Sequence, residues 1–201
     1  MDIRNATPED ARDLALLINL AGEGMPAYLW QDMTQGSETP LDAGARRAAR
    51  TEGGFSYTHA RVCSDAGRVL GMLLSYRLPD PCEIGDIAQY PELIQPLVTL
   101  EAQVPGSWYI NAIATHENCR GQGVARRLMA DAAHQARENH CTLMSLIVAS
   151  ENHAAIQLYA SIGFSSIHTL PVVPYPGGLH GGEWVLMTKT VDVAEGLGLT
   201  P

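Results

Sequence analysis

Seven consecutive residues, Cys119-Arg120-Gly121-Gln122-Gly123-Val124-Ala125, carry the most informative chemistry of this 201-residue chain. Gly121 and Gly123 leave no side chain between the backbone and whatever approaches it. Apolar residues at Val124, Leu128, Ala132 and Ala136, with Ala125, Met129 and Ala133 beside them, predict a helix that begins at this turn. Its first N–H groups have no partner within the helix and point toward the glycines. Aligned peptide dipoles add partial positive charge at the same place. Together these features make a seat for a phosphate or pyrophosphate, to which Arg120 adds a full positive charge. A plain glycine connection without a ligand is the competing reading of the turn alone.

The surrounding elements bear on the choice between the two. Trp108 to Ala114 is of strand length and rich in aromatic and β-branched residues, and Leu143 to Val148 is an almost wholly apolar run of the kind a buried strand shows. The unit reads strand, glycine turn, helix, strand. Asn152 then caps a short helix containing Ala154, Ala155, Ile156, Leu158 and Tyr159, which Gly163 stops in a left-handed conformation before Phe164.

The pattern Arg120-x-x-Gly123-x-Ala125, followed by Asn152-x-x-Ala155-x-x-x-Tyr159-x-x-x-Gly163-Phe164, resembles the GCN5-related N-acetyltransferase (GNAT) superfamily. The first part is similar to its pyrophosphate-binding signature and the second to its later cofactor-binding helix. The resemblance is specific from Trp108 to Phe164 and general outside it. It implies a single α/β (α+β) domain with a mixed central sheet of about seven strands and helices on both faces. Strands four and five would be parallel and splayed, with the pantetheine arm of acetyl-CoA between them.

The same resemblance implies roles for individual residues. Backbone groups of Ile113, Ala114 and Thr115 would pair with the pantetheine arm, one N–H facing the oxygen that turns negative in the transition state. Arg120, Gly121, Gln122, Gly123, Val124 and Ala125 would hold the diphosphate, with Asn152 and Ala155 completing the cofactor site. Tyr159 would sit near the departing sulfur, where a phenol of pKa about 10 is a workable donor to a thiolate whose thiol is near 8.5. Asn111 stands where many relatives carry a glutamate, and it can orient water or substrate without taking a proton. Tyr28 and Trp30 fall in the region that lies over the acceptor site, either lining a pocket or packing a helical lid. For the base, His116, Glu117, Glu101, His180 and Glu183 are the candidates, His180 having the intrinsic pKa suited to the task. A water chain with no single base is the alternative.

Composition narrows the classes. With 46% hydrophobic and 17% charged residues the chain is an ordinary globular protein of one domain. A net charge of −9 and no dense Lys/Arg run argue against a nucleic-acid surface and favour a cationic or amine substrate. The run Leu14 to Ala21 is too short to cross a membrane, and the absence of a charged start with an apolar core and cleavage site predicts a cytoplasmic protein. Cys63, Cys82, Cys119 and Cys141 show neither C-x-x-C pairing nor metal-ligand spacing, and the histidines form no zinc pattern. A homodimer is left open.

In chain order, Asp2 to Ala6 predicts a first strand, and Thr7-Pro8-Glu9-Asp10 a helix start with Ala11, Leu14, Ala15 and Ile18 on its buried face. Ala43 to Arg50 predicts a second helix. Phe55 to Ser64 and Arg68 to Arg77 predict strands joined by Asp65-Ala66-Gly67. The Pro- and acid-rich stretch from Leu78 to Gly106 holds a short helix within Leu93 to Gln103 and is expected to shape the acceptor pocket. Ser165 to Leu170 and Glu183 to Thr190 predict the last two strands, joined by the Pro/Gly-rich loop that contains His180. The domain is expected over 1–190, with 191–201 a tail.

Two other readings compete. A dinucleotide oxidoreductase would need a third glycine where Arg126 stands, and Glu151 lies 28 residues beyond Gly123, past the usual spacing of about 20. A non-catalytic acyl-CoA sensor is favoured by Asn111 and opposed by Tyr159. The acceptor, a small-molecule or peptide amine, is not specified by the sequence.

Overall fold

The computed structural model describes residues 1–192 of the chain. The expected tail falls outside those residues except for Val191 and Asp192, and Val191 is buried and donates its N–H to the Thr142 carbonyl at 2.8 Å.

The elements run β1 (Asp2–Asn5), α1 (Ala11–Ala21), α2 (Met25–Trp30), α3 (Pro40–Ala48), β2 (Ala60–Asp65), β3 (Arg68–Arg77) and α4 (Gln95–Glu101). They continue with β4 (Trp108–Thr115), α5 (Val124–Glu138), β5 (Leu143–Ala149), α6 (His153–Ser161), β6 (Ser165–Pro171) and β7 (Glu183–Thr190). The domain is a single α/β fold whose seven-stranded mixed sheet has the order β1-β2-β3-β4-β5-β7-β6, with β4 and β5 parallel. The described residues form two compact units. One comprises Met1–Tyr76, Ile110–Ala132 and Pro174–Gly181; the other comprises Arg77–Tyr109, Ala133–Val173 and the residues from Gly182 on.

In the first unit, alternation along the strands sends side chains to opposite faces. Ala60 and Val62 of β2 and Ala112 and Ala114 of β4 join Leu14, Leu17 and Ile18 of α1 and Ala43 and Ala48 of α3 in one core. Arg61 of β2 points the other way and pairs with Asp131 of α5 at 3.6 Å, so helices cover both faces. The start of α1 is fixed by a 3-10 turn, Pro8–Asp10, in which Thr7 donates its N–H to the Asp10 carboxylate at 2.8 Å. Arg4 grips that carboxylate at 2.7 and 2.8 Å and holds it below the usual carboxylate range.

One helix adds to the sequence expectation, and two element starts differ from it. Met25–Trp30 is a helix, entered through Gly24 in a left-handed conformation (φ +95°) with Pro26 in its first turn. The strand expected from Phe55 begins only at Ala60, because Ser56 caps a 3-10 turn over Tyr57–His59 by accepting from Thr58 N–H at 3.1 Å. The helix expected from Ala43 starts earlier, at Pro40, where Thr39 and Asp42 form a reciprocal capping box. The hairpin at Asp65-Ala66-Gly67 forms as expected, with Ala66 and Gly67 at φ +48° and +82°.

In the second unit, β7 pairs antiparallel with both β5 and β6. A register shift interrupts the β6 pairing between Ser166 and His168, and Ile167 is exposed there. α4 lies against β6 and β7.

Candidate functional site

The glycine turn joins β4 to α5 through a 3-10 turn at Glu117–Cys119. Gly121 and Gly123 have φ of +76° and +80°, a region open to glycine and strained for other residues. A Cβ at either position would meet nothing within 4 Å, so one side of this backbone is open. α5 begins immediately afterwards, with Val124 and Leu128 buried and Arg127 donating its N–H to the Gly123 carbonyl at 3.1 Å. Its first N–H groups therefore converge on an exposed, side-chain-free cradle. Arg120 is 58% exposed at its side chain and only 4.0 Å from Glu117, a loose contact that leaves its guanidinium able to reach an anion. Gln122 donates to the Asn118 carbonyl at 3.2 Å and braces the turn.

What holds the turn in place was not evident in the sequence. His116 donates its N–H to the Leu70 carbonyl of β3 at 2.9 Å. Next along β3 is Gly71, where a Cβ would lie 2.6 Å from the Ala114 carbonyl oxygen and 2.8 Å from Val124 Cγ1. A glycine inside a strand run is the available signal for such an approach. Along β4, Ala112 and Ala114 are buried, whereas Asn111, Ile113 and Thr115 are only partly buried on the other face. Thr115 Oγ1 is buried without a hydrogen-bond partner, a polar atom that a ligand on this face can satisfy. Asn111 donates its side-chain amide to the Tyr76 hydroxyl at 3.2 Å, and the Tyr76 ring lies 5.4 Å from that of His59.

A second cluster of the same unit gathers around the loop between β6 and β7. Tyr28 of α2 and Tyr175 of the loop have ring centroids 5.0 Å apart, and His180 Nε2 contacts the carboxylate of Glu23 in the turn after α1. Burial, reinforced by the charge of Glu23, pushes the Tyr175 phenol above its ordinary range. Trp30 takes the packing role: it is 3% exposed, with its ring filling the space that a Cβ on Gly44 would occupy. Sequence reasoning missed Glu23, Tyr76 and Tyr175. The flanking Gly22 and Gly24 were the available sign that Glu23 sits in an unusual turn.

In the second unit, Asn152 accepts from Ala155 N–H at 3.1 Å and caps α6 as expected. Tyr159 lies on this helix at 8% exposure, its carbonyl accepting from Phe164 N–H at 3.0 Å and its ring 6.1 Å from the Phe164 ring. Gly163 ends the segment at φ +96°, and Lys189 Nζ donates to the Ile162 carbonyl at 2.7 Å. Glu101 closes α4 and accepts a hydrogen bond from Tyr109; burial nonetheless pushes its carboxyl up to about 7. The remaining base candidates are open to solvent or already bonded. Glu117 is exposed, His116 lines an open groove of about 560 Å³ with Asp13 and Arg68, and Glu183 accepts from Thr169 Oγ1 at 3.0 Å.

Comparison with known proteins shows the family of the chain and its fold. The family model described as Acetyltransferase (GNAT) family matches residues 25–164. The chain belongs to that family. It is an N-acetyltransferase, and proteins of this GNAT group use acetyl-CoA. Among solved structures, an N-acetyltransferase from Staphylococcus aureus Mu50 is 24% identical, with a TM-score of 0.61 over 94% of this chain and 100% of that one. An agmatine N-acetyltransferase is 16% identical, with a TM-score of 0.68 over 94% and 98%. The yncA protein from Salmonella typhimurium, solved with its cofactor acetyl-CoA, is 19% identical, with a TM-score of 0.58 over 96% and 94%. At these identities the likeness is one of fold. No curated protein matches the chain. Among the described residues no helix is long and apolar enough to cross a membrane.

Proposed function

We propose that this GNAT protein binds acetyl-CoA with its diphosphate on the N–H groups from Gly121 to Ala125 and transfers the acetyl group directly to the amine of a small molecule or peptide. The observation that carries this reading is the pair of left-handed glycines, open on one side, at the N-terminus of α5. Bound there, acetyl-CoA supplies an acetyl group activated as a thioester.

The chain's own residues do the rest. Arg120 adds charge neutralisation at the diphosphate, and Gln122, Val124 and Ala125 complete the cradle. Backbone groups of Ile113, Ala114 and Thr115 orient the pantetheine arm, and one N–H of that set steadies the negative charge that develops on the carbonyl oxygen. Asn152 and Ala155 secure the first turn of α6, from which Tyr159 donates a proton to the departing sulfur. Asn111, held by Tyr76, orients the acceptor or a water and takes no proton. Tyr28 and His180 contact the acceptor. The net charge of −9 supports a cationic acceptor over an anionic one.

The test is calorimetric titration with acetyl-CoA and NAD, followed by CoA release with agmatine, spermidine, tyramine and an alanyl peptide. Binding of acetyl-CoA alone, with release stimulated by at least one amine, is the expected result. Absence of acetyl-CoA binding would sink the reading.

A further inference from the structure

Arg47 of α3 is a half-buried cation without a counter-ion. No carboxylate of the described residues lies within ion-pair reach of it or of Arg50. Its Nη1 donates only to Met33 Sδ, at 3.4 Å, and its Nε is buried with no hydrogen-bond partner. Its Cζ sits 5.7 Å from the centre of the Phe55 ring. Burial, reinforced by the charges of Arg50 and Arg46, holds the guanidinium below its ordinary range. Arg46 differs, since it pairs with Glu38 at 3.1 Å. The negative end of α3 favours basic residues in its last turn, reason enough for an exposed side chain but not for one packed among like charges. In a chain with 22 acidic and 13 basic residues, a cluster of one sign calls for an anion from outside the chain.

The turn after α3 holds this cluster in place. Ser56 donates its N–H to the Gly53 carbonyl at 3.0 Å, and Gly53 is left-handed at φ +87°. Arg50 Nη2 lies 3.9 Å from where a Cβ on Gly53 would stand, and the Phe55 ring carries Arg47. Between them, a Cβ on Gly54 would stand 3.2 Å from the Tyr76 hydroxyl, the group that accepts from Asn111. One short turn thus touches both arginines and the hydrogen bond that ends on β4. We propose that Arg47 and Arg50 bind a carboxylate of the acceptor, which makes the acceptor an amine that also carries a carboxylate, such as an amino acid or short peptide; this rests on the acetyl-transfer reading above. Guanidinium groups present the forked donors that the two oxygens of a carboxylate accept. Partial negative charge at the end of α3 disfavours a phosphate dianion in the same place. The net charge of −9 draws the ammonium end of such a molecule, while the arginines hold its other end.

The experiment uses acceptors with and without the carboxylate: tyrosine and tyramine, arginine and agmatine, histidine and histamine, and an alanyl peptide and its C-terminal amide. The other amino acids serve as single probes. At saturating acetyl-CoA, wild type should show a KM about 100-fold lower for the carboxylate-bearing member of at least one pair. Arg47→Gln and Arg50→Gln should each raise that KM about 10-fold, with Tm and acetyl-CoA affinity at the wild-type level. Arg47→Lys should recover part of the loss, having the charge without the fork. A merely structural role would instead lower Tm and raise KM alike for both members of a pair. Independently of turnover, the nitrogen-15 signal of Arg47 Nε in wild type should shift on adding one of these amino acids and stay in place with its decarboxylated counterpart. Equal or lower KM for the plain amines, an unchanged KM in both glutamine variants, or an unmoved Arg47 signal across the panel would overturn the carboxylate site and leave acetyl transfer standing. Failure of wild type to bind acetyl-CoA would overturn the transfer reading and the acceptor role with it, whatever the Arg47 signal does.

Discussion

Gly71 and Ala114 approach so closely that a methyl group on Gly71 would stand 2.6 Å from the Ala114 carbonyl oxygen. The obstacle is backbone, which cannot swing aside as a flexible side chain would, and Val124 Cγ1 closes the other side at 2.8 Å. This contact sets the height of the first turn of α5 above β3.

Gly71→Val should accordingly destabilise the protein by about 2 kcal/mol through overpacking. Because Val124 is the first residue of α5, acetyl-CoA affinity should fall as well. Urea unfolding and calorimetric titration measure the two effects, and a variant with native stability would contradict so close an approach of the two strands.

Gly123→Glu places a negative charge in the diphosphate seat and forces a side chain into a φ of +80°. Acetyl-CoA binding should drop by at least about 100-fold, the equivalent of roughly 3 kcal/mol. Retained affinity by titration would move the diphosphate elsewhere.

Tyr159→Phe removes the proposed proton donor and keeps the ring that packs 6.1 Å from Phe164. The variant should fold normally and bind acetyl-CoA with little change while kcat falls, on the order of 10- to 100-fold. Equal losses in kcat and in cofactor affinity would assign Tyr159 to binding instead.

Glu101 titrates near 7 in the folded protein, above its ordinary range near 4.5. The folded state therefore holds its proton where the unfolded chain has lost it. The stability this confers is complete below about pH 4.5 and declines as pH rises to about 7, by on the order of 2 kcal/mol. Glu101→Gln should flatten that decline and be more stable than wild type at pH 8. Urea unfolding at pH 5 and pH 8 reads the difference, and parallel curves for the two proteins would exclude Glu101 as its source.

The sequence was most readable where function depends on local backbone geometry. Gly121, Gly123, Asn152 and Gly163 each impose a turn or a cap through their own residue type, so the run from Trp108 to Phe164 could be placed element by element. Reading failed where the deciding partner is distant in sequence. Nothing near Asn111 announces Tyr76, and nothing near Glu23 announces His180, since the sheet and the β6–β7 loop bring each pair together. Local competition misled as well: Ser56 looks like a strand residue, but its hydroxyl accepts from the backbone and delays β2 until Ala60. Trp30 was an aromatic candidate for the acceptor site, and only the missing side chain of Gly44 shows the space its ring occupies.

The position of β7 between β5 and β6 has a consequence for synthesis. On the ribosome β6 emerges before the strand that ties it to the sheet, and its pairing partners from Glu183 to Thr190 arrive afterwards. A nascent chain halted short of Glu183 would display β6 without its pairing partner, an open strand edge that is a ready target for chaperones or for another such chain. Closure of the sheet is thus a late event in the life of each molecule.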